Sequence, residues 1–278
     1  MFSVQEAVAR NSVFQLLYSF WIAMMRFSVL ASGSRGNACY VETDQTRLLI
    51  DAGLSCAECI RRLRAVGVDP GRLEGIVITH EHIDHIRGAG VLARRLRVPV
   101  YMNGATLRKA STSLGDIARP VIIRTGRPLS VKDLLLETFT KCHDAADPMG
   151  ILMSCRGARL GLITDLGRST PVVETRLKGC QALIMEFNHD ERMLEEGPYP
   201  LEIKRRIRGP DGHLSNAQAG ALLKALSHQD LAVVVLAHLS EKNNLPEKAL
   251  KMCMSALGGA GTRVMVSSQH SPTPMVRL

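Results

Sequence analysis

Aromatic side chains are scarce in this 278-residue chain: Phe, Trp and Tyr together make up 4%, with a single Trp. A channel that grips a strand by stacking bases on rings is therefore poorly supplied, and a polyanionic partner would have to be held through its phosphates. Acidic residues are outnumbered, with 26 Asp and Glu against 35 Lys and Arg. The resulting net charge of +9 favours acidic partners, nucleic acid ahead of an anionic membrane surface. A disulfide framework is missing, because the seven cysteines are odd in number and scattered; free thiols in a reducing, cytoplasmic setting follow. Cys56 and Cys59 form a C-x-x-C pair, but they sit in an Arg-rich helical pattern with no second pair, and read as helix chemistry. The apolar run from Val13 to Met25 is too short to span a bilayer and no small-x-small cleavage site follows it, so no stable membrane insertion is expected. Met25 stands directly before the first strand and can serve as a translation start. Residues 1–25 thus read as a dispensable N-terminal extension, ahead of one domain covering 26–278. Repeats of fixed period, low complexity and long linkers are absent, and 46% apolar residues can build a full core.

What is present is concentrated in one stretch. Gly75-Ile76-Val77-Ile78 reads as a buried strand, and it leads into Thr79-His80-Glu81-His82-Ile83-Asp84-His85-Ile86-Arg87-Gly88. A turn there aims His80, His82, Asp84 and His85 at one point, and imidazole nitrogens with a carboxylate are what zinc and similar borderline ions take. A solvated polar loop has no use for three imidazoles in one turn.

Other strands end in the same way. Phe27 to Leu30 reads as a strand running into Ala31-Ser32-Gly33-Ser34-Arg35-Gly36-Asn37, a loop that is either a phosphate cradle using Ser32, Ser34 and Asn37 or a plain tight turn. Cys39 to Glu42 and Arg47 to Ile50 are the next strands, the latter ending at Asp51. Helices are expected over Leu54 to Gly67 and Val91 to Arg97, both with Arg-rich faces that read as solvated. Leu134 to Thr140 runs into Lys141-Cys142-His143, and Leu160 to Thr164 into Asp165, whose two oxygens can bridge two ions. Leu183 to Phe187 runs into Asn188-His189, and Leu231 to Ala237 into His238. Between these lie the densest basic cluster, Lys204-Arg205-Arg206-Ile207-Arg208, and Gly212-His213-Leu214-Ser215. Ser215 reads as the cap of a helix through Leu226, leaving His213 just before a helix N-terminus that favours anions. His228 and His270 fall on loops without a motif and read as surface residues.

The His-x-His-x-Asp-His signature resembles that of the metallo-β-lactamase superfamily. The stretches FSVLASGSRGN, LLIDAGLS, THEHIDHIRG, CHDAADP, ITDLG, EFNHD, GHLSN and LAHLS are similar to those of its bacterial YycJ/WalJ-like group of exonucleases. The resemblance implies an α/β fold, a four-layer αββα sandwich with metals at one edge. It also implies that His80, His82 and His143 hold one metal, that Asp84, His85 and His238 hold a second, and that Asp165 bridges them while Asp51 orients the metal loop from behind. Two divalent ions, zinc before manganese or iron, would then share a hydroxide nucleophile. In that scheme Asp84 orients the hydroxide or takes its proton, His213 acts on the phosphoryl group or leaving oxygen, and His189, Arg205 and Arg206 contact substrate.

The expected activity is a metal-dependent phosphodiesterase on nucleic acid, a DNA exonuclease. The same donors also serve hydrolysis of a small thioester, ester or lactam of the glyoxalase type, although zinc β-lactamases resembling this layout carry Cys where Asp165 stands. A non-catalytic metal-binding protein is a third reading, and the complete donor set argues against it.

Overall fold

Strands that read as near-continuous apolar runs need cover on both faces. The computed structural model, which describes residues 25–259 and 261–278, supplies it with two stacked sheets and helices outside both. The first sheet contains β1 (Arg26–Ala31), β2 (Ala38–Glu42), β3 (Arg47–Ile50), β4 (Gly75–Val77), β5 (Val100–Asn103), β6 (Pro120–Ile123) and, last in the chain, β14 (Val276–Arg277). Its order is β14-β1-β2-β3-β4-β5-β6. The second contains β7 (Pro128–Val131), β8 (Leu134–Thr140), β9 (Met149–Cys155), β10 (Ala158–Ile163), β11 (Ala182–Glu186), β12 (Val233–Ala237) and β13 (Arg263–Val266). Its order is β13-β12-β11-β10-β9-β8-β7. Each sheet begins as an antiparallel meander and continues parallel, from β3 in the first and from β10 in the second.

Buried apolar side chains fall into three clusters, the number that four layers require. Along β3, Leu48 and Ile50 point between the sheets, while Leu49 points outward to the helices Cys56–Ala65 and Ala89–Leu96. Along β12, Val233, Val235 and Ala237 face the other sheet, and Val234 and Leu236 face the helices Asn216–Leu226 and Pro246–Leu257. Alternation of this kind follows from the two-residue period of a strand, and each such Leu or Val adds about 1.5–3 kcal/mol when fully buried. The αββα order is the one the resemblance implied.

Several local expectations need adjustment. The Arg-rich face of the helix Cys56–Ala65 is not wholly solvated: Arg62 is buried, pairs with Glu58 and donates to Leu30 O at 2.8 Å. His228, expected on the surface, is half-buried and faces Cys180 O at 3.0 Å, whereas His270 is exposed. Of the extension expected over 1–25, only Met25 is among the described residues. Met25 is fully buried in the cluster between the sheets and its carbonyl accepts Leu278 N at 2.9 Å, so it belongs to the folded body. No helix among the described residues is long and apolar enough to cross a membrane.

Candidate metal centre

Chain ends of strands from both sheets meet at one edge. Asp51 follows β3, His80 follows β4, His143 follows β8, Asp165 follows β10, Glu186 closes β11 and His238 follows β12. Carboxyl ends of parallel strands are where sheets of this kind leave a crevice. Asp51, Asp165 and His238 reach into it from left-handed backbone, with φ of 60°, 53° and 55°. That conformation is uncommon outside glycine and costs about 1–3 kcal/mol per residue, so the surrounding packing must impose it.

The donors form two groups, and a third set, Glu186, His213 and His238, shares His238 with the second. His80, His82 and His143 offer nitrogens within 4.8 Å of one another, and Asp84, His85, Asp165 and His238 bring two carboxylate oxygens and two nitrogens equally close. His143 Nε2 stands 3.1 Å from His82 Nδ1, His85 Nε2 stands 3.2 Å from Asp165 Oδ2, and His238 Nε2 stands 3.3 Å from Asp165 Oδ1. Asp84 Oδ2 is 3.6 Å from His85 Nε2 and 3.7 Å from His238 Nε2. Donors at the corners of a tetrahedron around zinc, each about 2.0–2.2 Å from the ion, stand about 3.3–3.6 Å apart, so these spacings fit shared ions.

The far nitrogens are tied down. His85 Nδ1 donates to Asp51 Oδ2 at 2.8 Å, His80 Nδ1 meets Thr79 Oγ1 at 2.9 Å, and His143 Nδ1 donates to Gly212 O at 3.2 Å. Asp51 also accepts Thr79 N and Thr79 Oγ1, so one carboxylate orients both the strap and its last histidine. With Nδ1 protonated, the Nε2 of a neutral His85 is a lone pair facing carboxylates, an arrangement that calls for a cation. His80 Nε2, His238 Nε2 and Asp165 Oδ2 are buried without a hydrogen-bond partner. The donor set and its orphaned atoms fit a divalent metal.

Comparison with known proteins agrees. The family described as "Beta-lactamase superfamily domain" matches residues 46–239. The chain belongs to that family. Across 227 residues it is 40% identical to a protein named Exodeoxyribonuclease YycJ from Bacillus anthracis, covering 81% of this chain and 86% of that one. Across 264 residues it is 33% identical to Exodeoxyribonuclease WalJ from Streptococcus pneumoniae, covering 91% and 98%. The crystal structure of the metallo-β-lactamase-fold protein YhfI from Bacillus subtilis superposes with a TM-score of 0.70 over 90% of this chain and 98% of that one, at 15% identity. This superfamily member is a metal-dependent hydrolase.

In this β-lactamase-superfamily centre the two donor groups differ electrically. Burial pushes His80 well below the usual histidine value and His143 down to about 4, so both present neutral nitrogens. Burial acts on His85 and His238 too, yet Asp165, Asp51 and Asp84 overcome it. They hold His85 well above its ordinary value, and Asp165 with Asp84 holds His238 at about 9. Asp165 is itself buried, but His238, His85 and Lys141 keep it well below the usual carboxylate range.

The other predicted residues divide. Five amides of the loop at 31–37 are already committed, which leaves little of an anion cradle: Ser32 N to Ser268 O, Gly33 N to Asn37 Oδ1, Arg35 N to Gln269 Oε1, Gly36 N to Gly33 O and Asn37 N to Asp84 O. Ser32 and Asn37 are buried and serve the donors. Ser32 Oγ accepts His238 N at 2.8 Å, while Asn37 Nδ2 donates to Asp84 Oδ2 at 3.1 Å and lies 3.1 Å from His85 Nε2. Ser34 alone of the three is exposed. His189 is buried at 1% exposure rather than standing on the rim. His213 sits beside the donors, its ring 5.1 Å from that of His238 and 5.3 Å from that of His143. Its Nδ1 donates to Glu186 Oε1 at 2.9 Å, and Glu186 Oε2 accepts Leu166 N at 2.8 Å. Arg206 pairs with Asp144 at 2.5 Å, and Arg205 makes no ion pair among the described residues. Glu186 was missed by sequence reasoning. The available signal was its pattern, a carboxylate closing an apolar strand, which Asp51 and Asp165 share.

Proposed function

We propose that this protein is a two-metal phosphodiesterase that shortens DNA from its ends. The observation that carries the reading is His213, a histidine held against both donor groups by Glu186 without being needed to complete either. The chemistry supported by the donors is hydrolysis, and the DNA substrate is taken from the names of the two exodeoxyribonucleases that the chain resembles over most of its length. Two bound divalent ions, zinc by the preference of five imidazoles and two carboxylates, would supply a water activated near neutral pH and screen the phosphate. His80, His82 and His143 would hold one ion, Asp84, His85 and His238 the other, and Asp165 would contribute an oxygen to each.

The remaining chemistry belongs to side chains of this protein. Asn37 holds Oδ2 of Asp84, which leaves the other oxygen of this partly exposed carboxylate to orient the attacking water or accept its proton. Glu186 fixes the Nδ1 proton of His213, so Nε2 is the nitrogen turned to the cleft, placed to steady a phosphoryl oxygen or protonate the leaving one. The helix Leu201–Arg208 joins the loop of His213 through His213 N to Ile207 O at 2.9 Å, and Arg205 on that helix would serve as a phosphate contact. Free thiols at all seven cysteines suit the cytoplasm, where such a substrate is found.

The test is incubation of zinc- or manganese-loaded protein with end-labelled single- and double-stranded DNA, the same RNAs and an S-acyl thioester. Progressive loss of nucleotides from DNA, abolished by a chelator and restored by metal, is expected. Ready cleavage of the thioester with every nucleic acid left intact would overturn the reading.

A further inference from the structure

We propose that an arginine-lined cavity at the end of the first sheet away from the metal centre binds a phosphate group, free or carried by a nucleotide. The cavity, of about 270 Å³, opens among the starts of β1 and β3, the end of β2, β14 and the loop after the helix Cys56–Ala65. Arg47 opens β3 and Asp51 follows its other end, four residues or about 13 Å along the strand. No side chain lining the cavity belongs to the donor groups. Strand register builds the site. Arg277, Arg26, Glu42 and Arg47 stand directly opposite one another across β14, β1, β2 and β3, so one row of side chains crosses four strands. Phe27, Val41, Leu48 and Val276, their neighbours in sequence, point between the sheets, which turns the row to the helix-covered face.

Opposite charges across a strand pair stabilise a sheet and like charges weaken it, yet in this row three arginines share one acid. Glu42 is buried and already engaged at both oxygens. Its Oε1 meets Arg26 Nη2 at 2.5 Å, while Oε2 accepts Tyr40 OH at 2.9 Å and faces Arg47 Nε at 3.6 Å. Arg277 is left beside Arg26 with no acid of its own among the described residues. A fourth guanidinium, Arg72, comes from the helical turn Pro70–Arg72, lines the same cavity and makes no ion pair among the described residues. Asp69, the other carboxylate on the wall, caps that turn by accepting Gly71 N at 2.9 Å. The recess therefore holds four guanidiniums against two engaged carboxylates, an excess of two positive charges. A phosphate monoester carries about −1.5 to −2 charge at pH 7 and presents three oxygens to forks arriving from different strands. A carboxylate brings one charge and one edge. A volume of about 270 Å³ is at the small end of ligand pockets, suited to one phosphate and the sugar that bears it rather than to a strand.

The experiment titrates inorganic phosphate and deoxyadenosine monophosphate into full-length protein by calorimetry at low salt, after dialysis against chelator so that bound metal cannot take the anion. Saturable binding of one anion per chain is expected. Arg72→Gln and Arg277→Gln should each weaken it about tenfold, the scale of one lost charged hydrogen bond. Arg95→Gln, at an exposed arginine outside the cavity, should leave it unchanged. Glu42→Gln removes a negative charge from the recess and should tighten binding, which loss of a purely structural ion pair would not do. Arg72 lies on a turn outside the sheet, so its variant keeps the test if Arg277→Gln loosens β14. Tighter binding of the nucleotide than of phosphate assigns the site to a nucleotide, and equal or weaker binding assigns it to the free anion. Absence of saturable binding in the wild type, or equal weakening by Arg95→Gln, would overturn the proposal.

Discussion

Glu186 accepts at both oxygens, from Leu166 N and from His213 Nδ1, and this double commitment separates His213 from the metal donors. A carboxylate so engaged has little left to offer an ion. His213→Ala should therefore lower kcat by about 10²–10⁴-fold with the metal content unchanged, and Glu186→Gln should lower it less by loosening the ring. Metal analysis beside steady-state kinetics checks both, and loss of an ion from the His213 variant would place it among the donors. Protons report the same centre in metal-stripped protein. His238, raised to about 9 from 6.5, contributes stability that is complete below pH 6.5 and is lost as pH rises towards 9. His143, lowered to about 4 by burial, works in the opposite direction: its neutral form is favoured in the fold, so stability falls as pH drops from 6.5 towards 4. The stripped protein should melt highest near pH 6.5, and zinc should remove the alkaline decline. Circular-dichroism melts across that range, with and without zinc, decide it.

Two elements place the donors, and each exposes a different weakness. The strap carrying His80 to His85 lies directly on Gly53, where an added Cβ would fall 1.6 Å from Asp84 O. Asn37 N to Asp84 O at 2.7 Å and Gly53 N to Asn37 O at 2.9 Å lock that contact. Gly53→Ala should cost about 1–3 kcal/mol by overpacking and release metal, seen as a lower Tm together with lower zinc content. The helix Leu201–Arg208 has no buried residue and is held through its polar groups, Lys204 to Glu195 O, Arg206 to Asp144 and Arg208 to Glu195. Its arginines are not equivalent. Arg205→Ala should weaken DNA binding and reduce the salt slope by about one, leaving metals in place. Arg206→Ala also frees Asp144, which stands 3.9 Å from His82 Nε2, so its effect should extend to metal affinity. Binding titrations at several salt concentrations, with metal analysis, distinguish them.

At the scale of the whole molecule, the first and last described residues close the same sheet, with Arg26 paired to Arg277 and Leu278 N bonded to Met25 O. A chain beginning at Met25 should therefore keep the melting profile and metal content of the full-length protein, and aggregation or metal loss would show that residues 1–24 are required. The same closure marks the limit of what could be read in advance. The sequence by itself determined the strand ends, the His80 to His85 spacing, the cap at Ser215 and the helix holding Cys56 and Cys59, because each depends on neighbours within a turn or two. Its likeness to a known family extended this to the layered fold and to Asp165 and His238. Tertiary contacts alone made Ser32 and Asn37 supports of the donors and set Glu186 against His213. Ser32 meets the amide of His238 from 206 positions away, and no local pattern records such a contact. The two sheets also repeat one plan, antiparallel and then parallel, without any repeat in the residues. Burial on both strand faces constrains hydrophobicity and period, which many sequences satisfy, whereas the buried polar contacts at the edge must each be matched by a particular partner.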